Sequence, residues 1–188
     1  DFLEDVITDT HYDNPDRKGR HSAFLARILT DYGVTGKGIA CDEYTAVCID
    51  ENGLGTVYGD FPDFDDNAYF IQPNCELPDF KPETCQPGAP LNWIRNSEAL
   101  KVYAVKGTPT GQNTFDLGDW QTGQGGEWQH WYVANGNFNE VAGTGLDCDT
   151  LASISFANES GINVYPSVAN SYLFIDGNAQ GISTNIKV

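Results

Sequence analysis

The 188-residue chain contains no methionine. That absence predicts a polypeptide cut from a longer precursor. Positive charge is scarce: 10 Lys and Arg stand against 27 Asp and Glu, for a formal charge of −17. Phosphate-rich partners are held by Lys and Arg, so this balance argues against nucleic acid and against an anionic membrane surface. A cationic or zwitterionic substrate fits it better. No stretch approaches the ~18 apolar residues of a membrane span, and Asp1-Phe2-Leu3-Glu4-Asp5 has neither the charged nor the apolar region of a signal peptide. Only three histidines are present, His11, His21 and His130, and no cysteine pair has zinc-finger spacing, which argues against a structural zinc site. An acidic turn with Asp60, Asp63, Asp65 and Asp66 lacks the EF-hand pattern and reads as a solvated loop. Also missing is a Gly-x-Ser-x-Gly elbow around any serine of the chain. No metal and no cofactor are implied.

What is present begins with Val6-Ile7-Thr8-Asp9-Thr10-His11 and, after a helix-like segment, Gly38-Ile39-Ala40-Cys41-Asp42-Glu43. Two strands joined by a helix run parallel with a right-handed crossover, so their ends lie about 5 Å apart. His11 and Glu43 fall where the strands give way to loops, the place where open α/β sheets bind ligands. They form half of a nucleophile, histidine and acid constellation. Between the strands, Asn14 followed by Pro15 resembles an N-cap and first helical position, Phe24, Leu25, Ile28, Leu29 and Tyr32 make one helical stripe, and Gly33 is the expected C-cap.

Further along, residues 46–50 and 54–58 flank Glu51-Asn52-Gly53, a hairpin signal, and residues 68–72 and 100–106 read as strands. Residues 107–145 are rich in Gly, Gln, Asn and aromatics, with no regular period, and are expected to pack over a sheet edge. Short alternating strands return at residues 162–165 and 172–177. Two domains are therefore expected, residues 1–145 and a β-rich module over 146–188. With 40% apolar and 12% aromatic residues the chain can build a packed core. Cys75 and Cys85 bracket a Pro-rich loop, and a disulfide between them is expected in an oxidising compartment. Cys148 is left to pair with Cys41 or Cys48, to bridge another chain, or to stay free.

Thr8-Asp9-Thr10-His11-Tyr12, Arg17-Lys18-Gly19-Arg20 leading into Phe24-Leu25-Ala26-Arg27-Ile28, and Gly38-Ile39-Ala40-Cys41-Asp42-Glu43-Tyr44-Thr45-Ala46 together resemble the cyanophycinase family of serine peptidases. The resemblance is strong over residues 1 to about 72 and fades after about 108. It implies a flavodoxin-like, doubly wound α/β sheet related to class I glutamine amidotransferases, incomplete in this chain, and a Ser-His-Glu triad. His11 would be the general base and Glu43 its orienting acid, with Asp9, Thr10, Arg17 and Arg20 in the substrate-binding segment. Members of this family cleave an aspartate backbone whose side chains carry arginine, and Arg can grip an aspartate carboxylate bidentately. This chain departs from the family in having Thr10 where Gln is usual, and residues 13–16 where a further arginine is usual. The tail Ile162-Asn163-Val164-Tyr165-Pro166-Ser167 with Leu173-Phe174-Ile175 is similar to the start of the C-terminal sorting module of type IX secreted proteins, which implies a secreted or cell-surface protein.

The mechanism so implied is acyl transfer by a serine carried on an upstream fragment of the same precursor, acting on a cyanophycin-like polymer or another Asp-containing peptide. Two alternatives stay open: an inactive, exported, substrate-binding relative, and an amidotransferase-like hydrolase with an upstream Cys nucleophile. A homo-oligomer is neither required nor excluded.

Overall fold

Strand β1 (Val6–Thr10), helix α1 (Lys18–Tyr32) and strand β2 (Lys37–Cys41) form the expected crossover unit, with β1 parallel to β2 and Thr10 opposite Cys41. The computed structural model describes residues 2–148, 162–166, 172–177 and 186–187. It divides into two units, Asp1–Leu146 and Asp147–Val188. The chain is mixed α/β, mostly sheet, with one α-helix among the described residues.

The helix begins at Lys18, later than the Asn14-Pro15 pair suggested. Residues 12–17 instead close a turn in which the Arg17 N–H donates to the Tyr12 carbonyl at 2.9 Å, and Asp16 Oδ1 accepts the Lys18 N–H at 3.0 Å. Gly33 ends it in the left-handed region at φ 69°, its N–H bonded to the Leu29 carbonyl, where a residue without Cβ is unstrained. The buried face runs through His21, Ser22, Leu25, Ala26 and Leu29. This is the predicted spacing rotated by about one position, and it leaves Phe24 and Tyr32 exposed. The rotation follows from Gly38 beneath the helix: a methyl there would overlap the His21 ring, so His21 turns inward and the stripe turns with it.

After β2 come β3 (Thr45–Ile49) and β4 (Leu54–Gly59), joined by the predicted hairpin. Asp50 Oδ1 accepts the N–H groups of Asn52 and Leu54, and Gly53 sits at φ 88°. Strands β5 (Asn67–Pro73) and β6 (Leu100–Lys106) follow, then β7 (Asn113–Asp116), β8 (Gly123–Gln124), β9 (Gly126–Ala134) and β10 (Asn137–Ala142). The segment from 107 onward, which showed no period, therefore holds four strands. They form a six-stranded sheet in the order β1-β2-β5-β6-β9-β10 and a four-stranded sheet in the order β3-β4-β7-β8. Within the larger sheet only β1 and β2 are parallel, and β1 is an edge strand.

The larger sheet has two apolar faces. Ala40, Tyr69, Ile71, Leu100, Val102 and Trp131 pack with Tyr12, Trp93 and the helix residues Leu25, Ala26 and Leu29. Ile39, Phe70, Tyr103 and Val105 pack with Val57, Phe115, Leu117 and Trp120 of the second sheet and its loops. The result is three layers, helix on sheet on sheet. A doubly wound sheet would carry helices on both faces; here the hairpin sheet covers the second. Each fully buried Leu or Phe contributes roughly 1.5–3 kcal/mol, and β5 and β6, buried on both faces, form the centre of the core.

The cysteine expectation is corrected. Cys75 and Cys148 are disulfide-bonded, while Cys41, Cys48 and Cys85 are free thiols. Cys85 is drawn elsewhere: Thr84 pairs with Asn92 in a short antiparallel bridge, and Cys85 packs against the helix-side core. In the second unit β11 (Ile162–Pro166), β12 (Tyr172–Gly177) and β13 (Ile186–Lys187) form an antiparallel sheet. Ser167 of the sorting-module resemblance lies outside the described residues. Among the described residues no helix is long and apolar enough to cross a membrane.

Candidate active site

The ends of β1 and β2 place His11 and Glu43 side by side, with His11 Nδ1 3.3 Å from Glu43 Oε1. Both are accessible: the side chains are 67% and 27% exposed. His11 takes a left-handed backbone at φ 51°, uncommon for a residue with a Cβ and strained by roughly 1–3 kcal/mol. The turn throws its imidazole outward while the next residue, Tyr12, is fully buried. A histidine held through Nδ1 keeps its proton there and presents Nε2 as the acceptor, the arrangement a general base needs.

Asp9, Arg17 and Arg20 come together beside it. Arg20 Nη2 donates to both Asp9 oxygens, at 2.8 and 2.6 Å, Thr10 gives its N–H to Asp9 Oδ1 at 3.0 Å, and Arg17 Nη1 lies 3.8 Å from the same oxygen. Partial burial works against ionisation of Asp9, but the Arg20 hydrogen bond and the Thr10 amide outweigh it and hold the carboxyl below its ordinary range. Asp9 thus occupies the arginine face that the sequence reading reserved for a substrate carboxylate. Arg17 Nε is buried without a hydrogen-bond partner.

Two buried titratable groups flank the loops that carry the pair, Asp42 next to Glu43 in sequence and His21 against the Tyr12 ring. Asp42, 4% exposed, accepts the Asn67 N–H at 2.8 Å and the Tyr69 hydroxyl at 3.3 Å through Oδ2, and its Oδ1 has no partner. Burial pushes its carboxyl up to about 6 against these hydrogen bonds, helped by the negative Asp13 and Asp66. His21 is fully buried, its ring 5.7 Å from that of Tyr12 in an edge-on contact, and neither ring nitrogen has a well-formed hydrogen bond. Burial pushes it down to about 4, so at neutral pH it is an uncharged core residue. Alternation was the available signal: in Gly38-Ile39-Ala40-Cys41-Asp42, residues 38, 40 and 42 share the helix-facing side.

Next to Glu43 a shallow cleft of about 380 Å³ is lined by Glu43, Tyr44, Tyr58, Asp60 and Pro109. Tyr44 stacks on Phe64 with ring centroids 3.9 Å apart, and its N–H donates to Asp66. The cleft is acidic and aromatic. Among the described residues no group of three or more His, Cys, Asp and Glu side chains is placed to hold a metal ion. No family model matches the chain, and neither a curated protein nor a solved structure matches it.

Proposed function

We propose that residues 1–145 are the C-terminal part of a serine peptidase of the cyanophycinase kind, in which His11 is the general base and Glu43 its orienting acid. In this reading β1-α1-β2 belongs to a flavodoxin-like sheet, and the nucleophilic serine sits on an upstream fragment of the same precursor. The observation that carries the reading is the 3.3 Å contact between His11 Nδ1 and Glu43 Oε1 at neighbouring ends of parallel strands. The free edge of β1 supports it, since an unpaired strand edge is a template for another strand.

The serine attacks a peptide carbonyl and His11 takes its proton. Glu43 stabilises the imidazolium that forms, and the proton then passes to the leaving amine. The substrate we propose is an aspartate polymer bearing arginine, or another Asp-containing peptide. The cleft beside Glu43 offers carboxylates and tyrosine faces to a cation, whereas the Asp9–Arg20 pair leaves less of Arg20 for a substrate carboxylate. The disulfide fits an oxidising compartment, and secretion or surface display is part of the proposal.

The test is a substrate panel on enzyme matured from the whole precursor: cyanophycin, plain polyaspartate and α-linked Asp dipeptides. Release of β-Asp-Arg is the expected result. Turnover of α-Asp peptides without cyanophycin cleavage would replace the polymer by a dipeptidase role. No hydrolysis of any of the three would favour the inactive substrate-binding relative.

A further inference from the structure

His11 is largely exposed and Glu43 partly so, and their contact depends on what fixes the two loops that carry them. Each is followed or preceded by a buried residue. Tyr12, next to His11, is fully buried, and its ring lies 5.3 Å from that of Tyr69 on β5. Asp42, next to Glu43, is tied to the start of β5 by its own N–H to the Asn67 carbonyl, and by its Oδ2, which accepts from the Asn67 N–H and the Tyr69 hydroxyl. The Thr45 hydroxyl lies 3.2 Å from the Asp42 carbonyl and 3.0 Å from that of Asn67, closing the turn from its far side. Tyr69 is the residue common to both loops. It is 5% exposed and stands opposite Ala40 of β2, whose small side chain leaves room on that face for the two tyrosine rings.

We infer that Tyr69 is a positioning residue which clasps the His11 loop to the Glu43 turn, its ring seating Tyr12 and its hydroxyl holding the Asp42 carboxyl. The inference rests on the reading of His11 and Glu43 as base and acid. Removing the hydroxyl takes one of the two donors from Asp42 Oδ2 and leaves the carboxyl held by the Asn67 N–H alone, which loosens the turn that carries Glu43 and weakens its hold on the imidazole tautomer.

The tautomer of His11 reports this without an activity assay. Long-range ¹H–¹⁵N correlation spectra of the full chain at about pH 8.5, well above the ordinary histidine range, distinguish Nδ1–H from Nε2–H. Wild type is expected to be mainly Nδ1–H and Glu43→Ala mainly Nε2–H, with Tyr69→Phe shifted at least halfway toward Glu43→Ala. The urea midpoint of Tyr69→Phe should fall only modestly, by what one lost buried hydrogen bond costs, and the variant should stay folded. A purely structural Tyr69 would leave the tautomer unmoved: a folded Tyr69→Phe with the wild-type spectrum, alongside a shifted Glu43→Ala, overturns the inference and leaves the base and acid standing. An unshifted Glu43→Ala removes the base and acid reading, and the inference falls with it. If Tyr69→Phe does not fold, Asp42→Ala removes the acceptor from the other side and is judged by the same two outcomes.

Discussion

With His11 as the proposed general base, replacing it with alanine in the matured protein is expected to lower kcat/KM by roughly 10³-fold or more, the scale of deleting such a base. His21→Ala, compared per folded molecule, leaves kcat/KM near wild type. The contrast follows from placement: His11 is outward-turned with Nδ1 on Glu43, whereas His21 is sealed between Tyr12 and Gly38. Glu43→Gln falls between them, because the amide can still accept a hydrogen bond but gives no counter-charge to the imidazolium. Steady-state kinetics on purified, folded variants check all three. Equal losses in His11→Ala and His21→Ala would show that the wrong base has been chosen.

Stability against acid separates His21 from Asp42. His21 titrates near 6.5 when unfolded and about 4 when folded, so below 6.5 the unfolded chain binds the extra proton. Its contribution is intact above about pH 6.5 and is lost as pH falls toward 4, on the order of 3 kcal/mol. Asp42 has the opposite sign. Its folded value of about 6 lies above the ordinary 3.8, so the fold disfavours its charge, and stability falls as pH rises from about 4 to 6, also by on the order of 3 kcal/mol. The slopes oppose each other between pH 4 and 6, so these two contributions largely cancel in wild type and leave the acid loss of His130, whose ring burial also holds below its ordinary range. Asp42→Asn, which cannot ionise, exposes the acid loss due to His21. His21→Ala lowers stability at neutral pH by about 2–4 kcal/mol through lost packing and exposes the Asp42 slope, so that the variant gains stability on acidification. Urea unfolding across pH 4–8 checks this. Parallel curves for wild type and both variants would rule out both assignments.

The crossover unit was readable because the segment between the two strands carried a helical stripe of apolar residues and Gly33 marked its end. The helix start was not, since Asp16 and the Tyr12 to Arg17 turn do the capping where Asn14 and Pro15 looked suited to it. The β9 strand was hidden by aromatic residues on both faces: Trp131 enters the helix-side core and Trp128 packs against the other, which erases apolar and polar alternation. Cysteine spacing favours local loops, and nothing in it signalled that Cys148 is bonded while Cys85 is free. His11 and Glu43 could be placed from strand ends alone. Tyr69 could not, because its relation to Tyr12 and Asp42 depends on β5 lying beside β2, a neighbour relation that a hairpin intervening in sequence conceals.

The most direct test of the base and acid assignment is labelling of the purified, matured protein with a fluorophosphonate probe, followed by peptide mass spectrometry. The expected result is an adduct on a serine of an upstream fragment that copurifies with this chain, formed at a rate that collapses in His11→Ala and survives in His21→Ala. An adduct that forms as fast without His11 would contradict it, as would a matured protein that hydrolyses substrate with no reactive serine at all.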